Sequence, residues 1–166
     1  MTIISVIIIF LVAINVIARH IGSNSPVTKP VKAKELNADE QIEYHYSNIY
    51  NSLILFANSV DYLKSLDAPA FDPIFELESE FDIGFSDYSL NTNLENQKIT
   101  QFQFDNLVKF KNKVYNIEPE FWNYESLETN NVWKEIRSDA DKLLNELGIT
   151  RRTYNFDFTT IYYVDK

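Results

Sequence analysis

The residues able to do chemistry in this 166-residue chain are mostly carboxylates. Between Ser65 and Gln97 it carries Asp67, Asp72, Glu76, Glu78, Glu80, Asp82, Asp87 and Glu95 and not one Lys or Arg. Such a run can dock a basic partner surface, raising the rate and the specificity of association. It could also ligate calcium, but the Asp-x-Asp-x-Asp-Gly spacing of a calcium loop is missing. The plain alternative is a solvated face around a short helix, which is what most charge runs are. Asp72, Glu76, Glu78, Glu80, Asp82 and Asp87 are the candidate partner-binding residues.

Other chemistries lack their residues. There is no cysteine, so disulfides, thiolate metal sites and a cysteine nucleophile are excluded. The two histidines are His20 and His45. Glu43 stands two residues before His45, whereas helical metal sites place His and carboxylate three or four apart, as in Glu-x-x-His. His45 reads as a boundary residue of a helix, and no metal or cofactor is expected. Three glycines, Gly22, Gly84 and Gly148, cannot build a phosphate loop, and there is no Gly-x-Ser-x-Gly elbow. Among 24 acids some carboxylate pair is always available for acid–base work, but no spacing singles one out.

Charge is divided unevenly. Residues 1–34 hold Arg19, Lys29, Lys32 and Lys34 and no acid. The rest holds the other 11 of the 15 basic residues against all 24 acids, a net charge of −13. That domain is repelled by nucleic acid and by anionic lipid headgroups, and its natural attractions are basic protein surfaces.

The segment 1–20 reads MTIISVIIIFLVAINVIARH and is free of charge as far as Ala18. At about 1.5 Å per residue it nearly matches a hydrocarbon core of about 30 Å. It is read as a membrane anchor, with Ile3, Ile7, Phe10, Leu11 and Ile14 facing lipid and Arg19 reaching the headgroups. Basic residues only after the span place the following domain in the cytoplasm. Cleavage after Val16-Ile17-Ala18 would instead make it an exported or periplasmic protein. Residues 21–35, with Pro26 and Pro30, read as a flexible basic linker, and 36–166 as one acidic helical domain.

Within that domain, Asn37 and Glu40 form a capping box that opens a long helix to about Ser65, its apolar stripe marking it as central. Asp72-Pro73 starts a second helix that Gly84 stops. Phe85–Thr92 reads as a loop, and Thr92 to Glu95 as a capping box for a third helix ending near Asn116. Glu118-Pro119 begins a short turn. A last helix runs from Ser126 or Leu127 to Leu147, closed by Gly148 in the left-handed region with Ile149 beyond. From Thr153 to Val164 the period changes to two, rich in Tyr, Phe and Thr, which predicts a β-strand or extended tail.

The fold expected is therefore mainly α: a transmembrane helix, then a small helical domain with a terminal strand or tail. The function expected is a membrane-anchored, non-catalytic protein-binding module. It would be a subunit or adaptor of a membrane complex, or an inhibitor or immunity-type protein that docks a basic partner through its acidic face. A membrane-surface enzyme using a carboxylate pair is the alternative.

Overall fold

The computed structural model describes residues 36–66 and 72–157. Helix makes up 74% of them and there is no strand, so the class is mainly α, a helical bundle. The elements are α1 (Ala38–Ala57), α2 (Val60–Ser65), α3 (Pro73–Gly84), α4 (Asp87–Glu95), α5 (Gln101–Tyr115), a 3-10 turn (Pro119–Phe121), α6 (Tyr124–Thr129) and α7 (Asn131–Glu146).

Helix α1 is the hub, packing on α3, α4 and α7. The capping box forms as its sequence requires: Asn37 Oδ1 accepts the Glu40 N–H and Glu40 accepts the Asn37 N–H, both at 3.0 Å. Its second half is buried on every side, with Leu53, Ile54 and Leu55 all at 0% exposure. A helix buried all round must have partners all round, and here they are largely aromatic. Phe56 stacks on Trp133 and meets Phe81, Phe110 and Trp122 edge-on at ring separations of 5.5–6.3 Å. Much of the chain's aromatic content thus lies in the core, where such pairs add about 1 kcal/mol each to area burial.

The helices break where Asn and Ser compete with the backbone. Instead of running to Ser65, α1 ends at Ala57, because the Asn58 side chain donates to the Ile54 carbonyl and Ser59 caps α2 by accepting the Tyr62 N–H. Arg137 on α7 secures the break, donating to the carbonyl of Asn58 at 2.9 Å and to that of Leu127 at 3.0 Å. Asn130 divides the expected last helix into α6 and α7 in the same way.

The expected loop 85–92 is instead the start of α4, capped by Ser86. The expected cap at Thr92 lies inside that helix, and the capping box that opens α5 is Thr100 with Gln103. Both stretches fit the capping pattern, and the competing signal was the end of α4. Lys98 N–H bonds Asn93 O and Gln97 N–H bonds Leu94 O, the paired bonds of a Schellman turn, with Gln97 at φ 57°. A side chain in that region costs about 1–2 kcal/mol. Gln97→Gly is therefore expected to raise stability by about 0.5–1 kcal/mol in urea unfolding, after the extra entropy of glycine in the unfolded chain is deducted. A Gln97→Gly chain less stable than wild type would refute it.

After α7 the same turn forms as expected, with Gly148 at φ 73° and Ile149 N–H on Leu144 O at 2.9 Å. The terminal strand does not form among the described residues. Its backbone finds partners on helical side chains instead. Asn51 on α1 accepts the Asn155 N–H and donates to the Asn155 carbonyl, both at 2.9 Å, reproducing one rung of a β-ladder with a side-chain amide. Tyr62 Oη accepts the Tyr154 N–H at 2.7 Å, and Asn58 donates to the Arg152 carbonyl. The tail pairs with no strand among the described residues. Residues 158–164 of the expected strand lie outside them.

The expectation of a single-pass membrane location, with the domain in the cytoplasm, is corrected. No helix among the described residues is long and apolar enough to cross a membrane. The longest, α1, carries Asp39, Glu40 and Glu43 and buries its apolar residues against other helices. That expectation was carried by residues 1–20, with Ile3, Ile7, Phe10, Leu11, Ile14 and Arg19, and these lie outside the described residues, as does the linker 21–35.

Candidate functional site

The acidic run falls mainly on α3, and the helix sorts its members by face. Leu77, Phe81 and Gly84 face the core. Glu76 and Glu80, four residues apart, share one flank. Phe75, Glu78, Asp82 and Ile83 line the outer face and are exposed. The run is thus divided between the outer face and one flank of α3, with Asp87 on α4.

Two of the six candidates have local duties. Asp72 caps α3, its carboxylate accepting the N–H groups of Ile74 and Phe75 at 3.0 and 3.3 Å. Asp87 opens α4 and pairs with Lys111 of α5 at 2.7 Å; the lysine holds its carboxyl below the usual carboxylate range. Glu80 points inward: Tyr154 of the tail donates its hydroxyl to Oε1, while Oε2 is buried with no hydrogen-bond partner among the described residues. Burial pushes its carboxyl up to about 7, with the neighbouring Glu76 adding to the effect. Glu76 is raised as well, again by burial first.

Glu78 and Asp82 remain on the outer face. Beside them Phe75 is 65% exposed and Ile83 45%. Tyr115, at the end of α5, borders the same face: it donates to Asp82 Oδ1 at 3.2 Å, rests edge-on against Phe81, and is 56% exposed. Burial and the Asp82 carboxylate raise its phenol above the ordinary tyrosine range. Lys111 lies 5.9 Å from the Tyr115 ring and is paired with Asp87. The result is a helix face that exposes Phe75 and Ile83 with Glu78 and Asp82, bordered by Tyr115 at Asp82.

Sequence reasoning found the acids of this face but missed its apolar members. Phe75 and Ile83 are eight residues apart, the spacing of one helical face, and both stand off the Ile74–Leu77–Phe81 stripe. That was the available signal. Tyr115 was invisible, because only the packing of α5 beside α3 brings it there.

His45 stands where a boundary residue should. Its ring meets Tyr44 and Tyr88 edge-on at 5.3 and 5.1 Å, and burial lowers its pKa. No group of three His, Cys, Asp or Glu residues is arranged to hold a metal among the described residues. An open groove of about 260 Å³ between α5 and α7 is lined by Lys109, Lys113, Lys142, Asp139 and Glu146. Its charges are largely internal: Lys113 bridges Glu135 and Asp139 at 3.1 and 2.8 Å, and Lys142 also reaches Asp139.

Fold and face together define a small mainly α bundle that displays an acidic, aromatic helix face. No family model, curated protein or solved structure matches the chain.

Proposed function

We propose that this chain is a non-catalytic protein-binding module whose partner presents a basic surface, and that the outer face of α3 makes the contact. The observation that carries this reading is the exposure of Phe75, Ile83 and Tyr115 beside the carboxylates of Glu78 and Asp82. Exposed aromatic and aliphatic anchors supply binding energy when a partner excludes water from them, and flanking charges select the partner and speed encounter. The net charge of −13 over residues 35–166 extends the attraction beyond contact range. Such a module recruits its partner as an adaptor or subunit, or blocks it as an inhibitor.

The test is capture on the immobilised full chain at low and high salt. A stoichiometric basic partner is expected, retained at low salt. Phe75→Ala and Ile83→Ala should each weaken its binding about tenfold or more, whereas Glu78→Gln with Asp82→Asn should slow association and flatten the salt dependence. Capture that is unchanged in all these variants would sink the reading.

A second reading, an acid–base enzyme using a carboxylate pair, has one observation in its favour: Glu76 and Glu80 lie one turn apart and both are raised. Against it, Tyr154 closes over Glu80, and the open groove between α5 and α7 holds neither carboxylate.

A further inference from the structure

The tail after α7 is held by a set of contacts unlike the rest of the fold. Its backbone is read by side chains of α1, α2 and the break between them: Asn51 holds both polar groups of Asn155, Tyr62 takes the Tyr154 N–H, and Asn58 donates to the Arg152 carbonyl. Asn155 also donates its amide to the Tyr50 hydroxyl. Tyr154 and Asn155 are 4% and 5% exposed, yet the residues before and after them, Thr153 and Phe156, are exposed. The segment is thus two buried residues in an exposed stretch of chain, tied to α3 through the Tyr154–Glu80 bond.

The geometry points to a latch: Tyr154 and Asn155 close the tail onto α1 and α3 while Glu80 is protonated, and ionisation of Glu80 releases them. A protonated Glu80 is neutral and can stay buried, accepting the Tyr154 hydroxyl. An ionised one draws the phenol more strongly but has that one donor for two buried oxygens. Burial outweighs the Tyr154 hydroxyl in its proton affinity, so the charge needs water or a cation that the closed tail does not supply.

Among the described residues no cation is placed to supply the deficit. Of the helices packed on α3, α1 and α4 carry no Lys or Arg, and the one lysine of α2, Lys64, lies over the Tyr124 ring. Lys111 of α5 is paired with Asp87. On the tail, Arg152 is bound to Asp141 and Arg151 reaches Thr153. The charge that does face Glu80 is a carboxylate, Glu76, and it opposes ionisation; Asp72 acts in the same sense on Glu76. His45 of α1 meets the rings of Tyr44 and Tyr88, and burial disfavours its charged form. With Glu80 titrating about 7, the latch works across neutral pH. Opening it uncovers Tyr154 together with the Tyr50, Asn51 and Tyr62 side chains that held it. The latch does not rest on the docking reading of the outer face of α3.

Hydrogen–deuterium exchange on the full chain tests it, with rates corrected for the intrinsic effect of pH. Between pH 5.5 and 8.5 the protection of the tail peptide containing the Tyr154 and Asn155 amides should fall on the order of tenfold, while the α1 peptide Ile49–Phe56 keeps its own. Glu80→Gln should hold the tail closed at both pH values, and Tyr154→Phe should leave it poorly protected at both. Unchanged tail protection in the wild-type chain would overturn the latch. So would loss of protection in tail and α1 together, which marks global unfolding, or a Tyr154→Phe chain that behaves as wild type.

Discussion

Gly84→Ala is expected to cost about 2–4 kcal/mol of folding stability, the largest effect foreseen for so small a change. A Cβ built on Gly84 would lie 2.6 Å from the Asn48 carbonyl oxygen and 2.8 Å from its carbon. These are backbone atoms of α1, so no rotamer change can make room. Either α3 moves off the hub helix or the methyl group stays strained. Ala is the better helix former by about 1 kcal/mol, but that gain is smaller than the clash. Gly148→Ala is the control. Nothing lies within 4 Å of its Cβ position, so the cost there is only the left-handed backbone at φ +73°, about 1 kcal/mol. Urea unfolding of the two variants separates the mechanisms. If Gly84→Ala is as stable as wild type, the close approach of α3 to α1 is wrong.

Glu80→Gln should leave stability near the wild-type value at pH 5 and exceed it by on the order of 2–3 kcal/mol at pH 8. The sign follows from linkage. Glu80 titrates about 7 in the folded chain against 4.5 as its ordinary value, so the folded state holds the proton more tightly. The stability it contributes is complete below pH 4.5 and is lost as pH rises through 7. Gln keeps an oxygen for the Tyr154 hydroxyl and never ionises. His45 works in the opposite sense: burial lowers its pKa, so its contribution is present above about 6.5 and declines in acid. Comparing Glu80→Gln with wild type at each pH cancels the histidine and isolates the carboxyl. A difference that does not grow with pH would show that Glu80 is solvated. Release of the tail relieves part of the strain without unfolding, so the stability difference and the exchange of the tail amides should change over the same pH range.

Local chemistry was legible in the sequence wherever a few neighbouring residues decide the outcome. The Asn37–Glu40 box, the Asp72-Pro73 start, the Gly148-Ile149 turn and the apolar stripe of α1 each follow from side-chain geometry within one or two turns, and each is present. The errors arose where two local signals compete. Thr92–Glu95 and Thr100–Gln103 both fit a cap, and only the turn at Gln97 chooses between them. Asn58 and Asn130 sit in strong apolar periodicities, which hid the breaks that their side chains and Arg137 hold open.

Composition and spacing alone determined that this is a helical, cysteine-free, strongly acidic domain, because those properties are sums or short-range patterns. What became of the individual acids was settled by tertiary contacts. Asp72 alone was legible, as a cap before Pro73; Glu76 and Glu78 differ little in sequence context, yet one flanks a buried carboxyl and the other is exposed. Glu80 owes its proton affinity to the packing that removes water from it, offset in part by the hydroxyl of Tyr154, 74 positions away. The alternating tail had the pattern of a strand, and among its described residues no strand forms. That its hydrogen-bond partners would be an asparagine and a tyrosine on helices, rather than another strand, depends on which surface the fold brings beside it. Period two constrains only the segment's own conformation; the partner is fixed by the packing of the helices around it.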